Sequence, residues 1–126
     1  MKKIVKTDNA PAPIGPYSQA IIAGNFVFVS GQVAIDPSSG ELILDDIKTE
    51  TKQVMENIQA ILVEAGIDFS NVVKTSIFLK DMQNFALVNE VYGTYFKDQF
   101  PARETVQVAG LPKNANVEIT VTAIKP

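Results

Sequence analysis

One arginine, Arg103, lies where the sequence changes from a loop to a strand. It follows Pro101, which cannot occupy the interior of a β-ladder, and precedes the alternating residues 105–108. Its guanidinium group is planar and always charged, and its paired N–H groups match both oxygens of a carboxylate. A carboxylate-bearing ligand is therefore one candidate partner for Arg103, and a solvated or interface position is the alternative.

The residue types that are missing restrict the possible chemistry. The chain has no histidine and no cysteine, which excludes Ser-His-Asp and Cys-His nucleophile systems and the usual His/Cys zinc sites. We expect no metal site. Any general acid or base has to be a carboxylate, a lysine, a tyrosine or a chain terminus.

Size and charge are those of an ordinary soluble globular protein. The 126 residues suffice for a single domain, expected to span 1–126, and 46% of them are hydrophobic, enough for a substantial core. A net charge of -3 with scattered basic residues argues against a nucleic-acid partner. No apolar run approaches the roughly 18 residues of a membrane span, and none follows Lys2-Lys3 as in a secretory signal. We therefore expect a cytoplasmic protein with no membrane partner.

Hydrophobic periodicity predicts strands and helices interleaved over one sheet. The proline-rich residues 8–17 predict a loop, and Gly24-Asn25 between two apolar runs predicts a hairpin. A turn is predicted at 36–41. The remaining predicted elements are a helix from an N-cap near Asp46 to Gly66, a strand at 72–79, a second helix from near Asp81 or Asn84 to before Pro101, and strands at about 104–109 and 117–124.

Two amphipathic helices can cover only one face of this sheet, so the other face needs a different cover. Apolar residues alternate with Glu118, Thr120 and Thr122 on the last strand, and Val106 and Val108 alternate with Arg103, Thr105 and Gln107 on the strand before it. We therefore predict that Arg103 and Glu118 share the uncovered face. This polar face is expected to form a subunit interface.

Six segments, in order, resemble the reactive-intermediate deaminase (Rid, YjgF-like) family, RidA subgroup, over nearly the whole chain. They are NAPAPIGPYSQA, FVFVSGQVAIDPSSGE, NIQAILVEAG, VVKTSIFLKDMQNFALVNEVY, FPARETVQV and LPKNANVEI. The resemblance implies a single α+β domain of the chorismate-mutase-like type, with a mixed six-stranded sheet and two helices on one face. It also implies a homotrimer with ligand sites in the clefts between subunits.

The same resemblance implies an activity and the residues that carry it. Family members hydrolyse 2-enamine and 2-imine acids, such as 2-aminoacrylate/2-iminopropanoate and 2-aminocrotonate/2-iminobutanoate, to 2-oxo acids and ammonia without a cofactor. Arg103 matches the arginine that binds the substrate carboxylate, and Glu118 matches the glutamate that positions water. The other positions lining the cleft are Tyr17, Ser30, Gly31, Asn89 and Thr105, the last in place of a cysteine common in relatives.

Two other functions remain open at this stage. The protein could be a non-catalytic trimeric binder or sensor of small carboxylates, because a fold does not decide between binding and turnover. A third possible function is that of an endoribonuclease or translation inhibitor. The acidic composition of the chain argues against it. Structural roles also remain open: Tyr17 as a cap beneath the proline-rich loop, Ser30-Gly31 as a strand exit, and Asn89 as a polar helix position.

Overall fold

A computed structural model describes all 126 residues as one six-stranded sheet with two α-helices on one face. The elements are β1 (Lys2–Val5), β2 (Ala20–Ala23), β3 (Phe26–Gln32), α1 (Ile47–Glu64), β4 (Val72–Leu79), α2 (Phe85–Gly93), β5 (Ala102–Gln107) and β6 (Val117–Ile124). The strand order is β1-β2-β3-β6-β4-β5. The sheet is mixed because β4 and β5 are parallel while the other pairs are antiparallel. The predicted α+β fold is confirmed.

The hairpin and the first helix form as their sequence signals predict. Gly24 takes a φ of 60° in the turn between β2 and β3. Asp46 caps α1 by accepting a hydrogen bond from Thr49 N at 2.8 Å, and this bond lowers the pKa of the Asp46 carboxyl. Gly66, with a φ of 82°, follows the helix in the left-handed region that glycine favours.

Two element boundaries differ from the prediction, and one strand was missed. A 3₁₀ turn capped by Asp81 precedes α2, which ends at Gly93. Strand β5 begins directly after Pro101, two residues earlier than predicted, and ends at Gln107. Strand β1 was not predicted because only Val5 of its four residues is buried, so this edge strand carries almost no hydrophobic pattern.

The core lies between the sheet and the helices. The central strand β6 turns its alternate residues Val117, Ile119, Val121 and Ala123 into this layer, where all four are buried. They meet the buried stripe of α1, which comprises Val54, Met55, Ile58, Ile61 and Leu62. This packing fixes β6, and therefore fixes Glu118 on the opposite side of the same strand. No helix is both long and apolar enough to cross a membrane.

The prediction that Arg103 and Glu118 share the uncovered face is wrong. In the register of the sheet, Arg103 lies beside Thr75, which lies beside the buried Val121. Glu118 lies beside Phe78, which lies beside the exposed Val106. Arg103 is therefore on the helix side. The alternation of polar and apolar residues in β5 gave the wrong face because β5 is an edge strand. Its charged residue Arg103 lies on the helix side, and its apolar residue Val106 lies on the uncovered side.

The uncovered face, here called the open face, is more apolar than predicted. Phe26 and Phe28 stack with ring centres 5.7 Å apart and are each 47% exposed. Ile4 lies on the same face through its register with Ile21 and Phe28, and it is also exposed. Monomeric soluble proteins seldom expose contiguous apolar surface of this kind without a partner.

Candidate functional site

The structure divides the predicted site residues between two cavities on opposite faces of the sheet. Tyr17, Ser30, Gly31 and Glu118 line one cavity of about 410 Å³, the Glu118 pocket. Asn89 and Arg103 line another of about 380 Å³, the Arg103 pocket, together with Tyr92, Gly93, Phe100 and Pro101. Thr105 lies two positions after Arg103 on the same face of β5.

Arg103 and Glu118 of one chain cannot contact the same small ligand. Strand β4 lies between their strands, which separates the two backbones by about 10 Å across the sheet. The register adds three residues along the strands, again about 10 Å. Their side chains also point to opposite faces, so a four-carbon acid bound at one of them is out of reach of the other.

A β-bulge in β3 shapes the Glu118 pocket. Val29 pairs with Val121 and Gln32 with Ile119, so Ser30 and Gly31 together oppose Thr120. Such an extra residue bends a strand and redirects the groups beside it. The Gln32 side-chain amide donates to Ser30 O at 3.1 Å and supports the bulge from the buried side.

Glycine at position 31 lets the Glu118 carboxyl lie against the β3 backbone. A Cβ atom on Gly31 would be only 2.9 Å from Glu118 Cδ and 3.1 Å from Oε2. Those distances are shorter than side chains tolerate, so any other residue would displace the carboxyl group. Gly31 therefore serves the site through the space it leaves open.

Glu118 has the electrostatic character of a proton acceptor and donor. The structure gives its carboxyl group no hydrogen bond and no ion pair, since the two salt bridges are Lys48–Glu90 and Lys74–Glu104. Partial burial raises the pKa of Glu118 above its usual value. A carboxylate with a raised pKa and free lone pairs can take a proton from water and return it.

Two hydroxyl groups face the same pocket. Ser30 Oγ donates to Ser18 O at 2.6 Å, which uses its proton and leaves its lone pairs available to an incoming N–H group. The Tyr17 hydroxyl accepts from Ile14 N at 3.2 Å, and its own proton remains free to donate. Together they can orient the nitrogen and oxygen atoms of a small polar ligand.

The Arg103 pocket is positively charged, and several contacts hold the Arg103 side chain. Arg103 Nη1 donates to Asn89 Oδ1 at 2.7 Å. Its Cζ lies 5.1 Å from the centre of the Tyr92 ring and 5.6 Å from that of Phe85, both on α2. The Tyr92 hydroxyl is held by Thr75 Oγ1 at 2.8 Å, and burial raises the pKa of Tyr92. Because no carboxylate pairs with Arg103, an anionic ligand is the natural partner of its free N–H groups.

Thr105, two positions from Arg103 on β5 but not a lining residue of this pocket, carries an unusual atom. Its Oγ1 is buried and has no hydrogen-bond partner, the one side-chain polar atom in the chain with that combination. Leaving such a group without a partner is costly, so its presence calls for an explanation. The Thr105 hydroxyl is therefore a second candidate donor beside Arg103.

Comparison with known proteins decides the family. Residues 7–125 match the family profile described as Endoribonuclease L-PSP. The chain is 48% identical over 125 residues to 2-iminobutanoate/2-iminopropanoate deaminase of Mus musculus, which covers 99% of this chain and 93% of the relative. The chain belongs to the Rid (YjgF-like) family, RidA subgroup. The resemblance read from the six sequence segments is confirmed.

Other Rid proteins extend the similarity to sequence and structure. A RutC family protein of Pyrococcus horikoshii is 54% identical over 125 residues, 99% of each chain. The structure of E. coli TdcF with bound serine has a TM-score of 0.94 and 38% identity, and covers 98% of this chain and 99% of that one. The fold of this Rid chain is therefore the fold of its relatives.

Sequence reasoning missed two buried glutamines that build the Glu118 pocket of this Rid protein. Gln32 supports the bulge, and Gln19 lies in the pocket lining with hydrogen bonds to the proline-rich loop. The available signal was their position, since Gln19 begins the apolar run QAIIAG and Gln32 lies within the apolar run NFVFVSGQVAI. No group of three or more His, Cys, Asp or Glu side chains is placed to hold a metal ion.

Proposed function

We propose that this Rid protein hydrolyses 2-enamine and 2-imine acids, such as 2-iminopropanoate and 2-iminobutanoate, to 2-oxo acids and ammonia. The observation that carries the proposal is the complementary pair of cavities. One holds a guanidinium that pairs with no carboxylate, and the other holds a carboxyl group without a hydrogen bond and with a raised pKa. An imino acid needs one group to hold its carboxylate and another to activate water. A close relative carries the name of this activity.

The two cavities form one site only if different copies of the chain meet. The exposed apolar surface of the open face supports such an assembly, because Phe26, Phe28 and Ile4 would otherwise face water. In a cyclic homotrimer each copy presents its Glu118 pocket to one neighbour and its Arg103 pocket to the other. Each of the three sites then combines Arg103 of one copy with Glu118 of the next.

In this site the Arg103 pocket binds the substrate. The guanidinium forms two hydrogen bonds to the carboxylate, while Asn89 and the α2 rings hold its plane. The Thr105 hydroxyl donates a further hydrogen bond to the same carboxylate. Binding the carboxylate at two or three points directs the imine carbon of the substrate towards the neighbouring Glu118.

Glu118 carries the proton transfers. It takes a proton from water as the water oxygen bonds to the carbon of the protonated imine, which gives a carbinolamine. Glu118 then returns that proton to the nitrogen. The C–N bond breaks, and the electron pair of this bond leaves with ammonia. The carbinol oxygen becomes the carbonyl oxygen of the 2-oxo acid as the hydroxyl proton passes to Glu118. Ser30 accepts from the substrate nitrogen and keeps it oriented.

The activity is tested by generating the substrate in place. A serine or threonine dehydratase releases 2-aminoacrylate or 2-aminocrotonate, and 2-oxo acid formation is followed with and without this protein. Acceleration above the uncatalysed hydrolysis is expected. An unchanged rate at any protein concentration would reject the enzyme.

The shared site is tested by mixing two inactive variants. Arg103→Ala and Glu118→Gln subunits are unfolded and refolded together in equal amounts. If sites combine two copies of a trimer, three-quarters of the trimers are mixed and each contains one intact site, so about a quarter of wild-type activity returns. Sites confined to one copy would give no recovery.

A second candidate function is a binder or sensor of small carboxylates without turnover. The observation that favours it is the relative whose structure holds bound serine, an amino acid with a carboxylate that Arg103 could bind here. Calorimetry with pyruvate and a hydrolysis assay with 2-aminoacrylate distinguish the two functions. A sensor should bind pyruvate without changing the hydrolysis rate, whereas the enzyme should bind pyruvate and accelerate the hydrolysis.

A further inference from the structure

We propose that Gln19 is a positioning residue that fixes the proline-rich loop, residues 7–17, as one wall of the Glu118 pocket. The catalytic consequence of this proposal rests on the proposed deaminase function. The structural part does not, because it concerns only how the loop is held. Gln19 is a buried residue, only 2% exposed.

All hydrogen bonds of the Gln19 side-chain amide are made to the loop. Its Oε1 accepts from Thr7 N at 2.8 Å. Its Nε2 donates to Thr7 O at 3.0 Å and Pro11 O at 2.9 Å, with Ala10 O at 3.3 Å as a third, longer partner. All of these contacts are buried or partly buried, so solvent does not compete well for them.

Apart from the burial of Ala10 in the core, few other contacts of the hydrogen-bonding kind hold the loop. Three of its residues are prolines without an N–H group, and it lies between strands without joining the sheet. The other hydrogen bonds within it are the contacts Asn9 N to Thr7 Oγ1, Ile14 N to the Tyr17 hydroxyl, and Tyr17 N to Gly15 O. The Gln19 side chain therefore supplies the hydrogen bonds that join the loop to the rest of the chain.

The held segment is the wall of the pocket. Pro11, Ala12, Ile14 and Tyr17 line the Glu118 pocket beside Gln19 itself. The backbone of Gln19 also accepts from Ser30 N at 2.9 Å, so the same residue joins the loop to the bulge. Because both amide N–H groups donate to the loop, Gln19 acts on a ligand through Tyr17 and its neighbours.

Gln19→Glu is the most informative variant because its effect depends on pH. The ionised carboxylate still accepts from Thr7 N but faces carbonyl oxygens that need a donor, whereas the protonated carboxyl group restores one donor. We expect the KM for the imino acid, and the Kd for pyruvate, to rise at least 10-fold at pH 8 while kcat stays within about threefold. As the pH is lowered and the introduced carboxyl group becomes protonated, the KM and the Kd of Gln19→Glu should both return towards the wild-type values at the same pH.

Gln19→Met is the matched control because it fills the same space without any donor. Its loss of affinity relative to wild type should not change with pH. A loss in Gln19→Glu that is equally independent of pH would mean that only packing matters, which would overturn the proposal. Wild-type affinity in both variants would overturn it as well.

Amide hydrogen exchange tests the loop without any substrate. In the wild-type protein the Thr7 amide should exchange as slowly as the amides of β2, and in Gln19→Met it should exchange at least 10-fold faster. Rapid exchange of Thr7 in the wild type would overturn the proposal even if no variant folds. If the protein neither binds pyruvate nor accelerates hydrolysis, the proposed function fails, while the exchange result still decides the role of Gln19.

Discussion

The Arg103 pocket and the Glu118 pocket support their charged groups in opposite ways. Arg103 has a hydrogen-bond partner in Asn89 and two aromatic rings whose centres lie 5.1 and 5.6 Å from its Cζ. Glu118 has no hydrogen-bond partner, packs against the bare backbone of Gly31, and has a raised pKa. A group that only binds profits from being held rigidly. A group that must gain and lose a proton profits from an environment that destabilises its charged form.

Replacing Glu118 should have the largest effect on activity. Glu118→Gln keeps the size of the side chain but cannot take a proton from water, so kcat should fall by about 10² to 10⁴. Binding of pyruvate should persist, because the carboxylate is held in the other pocket. Steady-state kinetics and calorimetry measure the two quantities separately.

Glu90→Gln is the matched control for this change, since Glu90 is an exposed glutamate whose carboxylate pairs with Lys48 on the surface. It should leave kcat unchanged. If Glu118→Gln deaminates at the wild-type rate, Glu118 is only a sheet-face carboxylate and the contrast between the two pockets has no catalytic meaning.

Changes at Arg103, the only arginine in the chain, should act mainly on binding. Arg103→Lys keeps the charge and loses the two-pronged geometry, so kcat/KM should fall about 10- to 150-fold, or 1.5–3 kcal/mol. Arg103→Ala should lose more because nothing then neutralises the substrate carboxylate. Pyruvate affinity should fall in parallel in both variants. Unchanged affinity would show that ligands bind elsewhere.

The sequence predicted most of the fold because its signals were local and strong. Helix α1 begins after its Asp46 cap, follows the apolar stripe and ends before Gly66. Strands β4 and β6 lie within the predicted ranges. Strand β1 and the two-residue shift of β5 were not predictable, because edge strands bury too little to show a pattern.

The family resemblance supplied the predicted site residues but not their arrangement. The structure places Tyr17, Ser30, Gly31 and Glu118 around one cavity and Asn89 and Arg103 around another. Their placement on opposite faces depends on the parallel register of β4 and β5, which no alternation within β5 can reveal. The role of Gln19 was also hidden, because its partners are backbone atoms up to 12 residues away.

The buried carboxylate of Glu50 differs from that of Glu118 in how its replacement should change the stability of the protein. Glu50 is 0% exposed, and its two oxygens accept from Asn116 N and Nδ2, each at 2.8 Å. Glu50→Gln loses one of these acceptors and should destabilise the protein by about 1–3 kcal/mol in chemical denaturation. Glu118→Gln should have the opposite sign at neutral pH, because it removes a charge that burial disfavours.

The pH dependence follows from the direction of the Glu118 pKa. A carboxyl group whose pKa rises on folding contributes stability below its unfolded pKa, and loses that contribution as the pH rises through the folded pKa. The stability advantage of Glu118→Gln should therefore shrink as the pH is lowered through that value. An advantage that is the same at every pH would contradict the burial effect on Glu118.

The smallest effect is expected at Thr105, where stability and binding should separate. Thr105→Val keeps the shape of the side chain and removes a buried hydroxyl that has no partner in the free protein. Thermal or chemical denaturation should show stability unchanged or slightly increased, since no hydrogen bond is lost. Pyruvate affinity should nevertheless fall about 2- to 10-fold, because a neutral hydrogen bond to the ligand is worth about 0.5–1.5 kcal/mol. Thr105→Ser, which keeps the hydroxyl, should retain the affinity. A destabilised Thr105→Val protein with unchanged pyruvate affinity would mean that the hydroxyl serves the fold, and that Arg103 and Asn89 alone define the carboxylate side of the site.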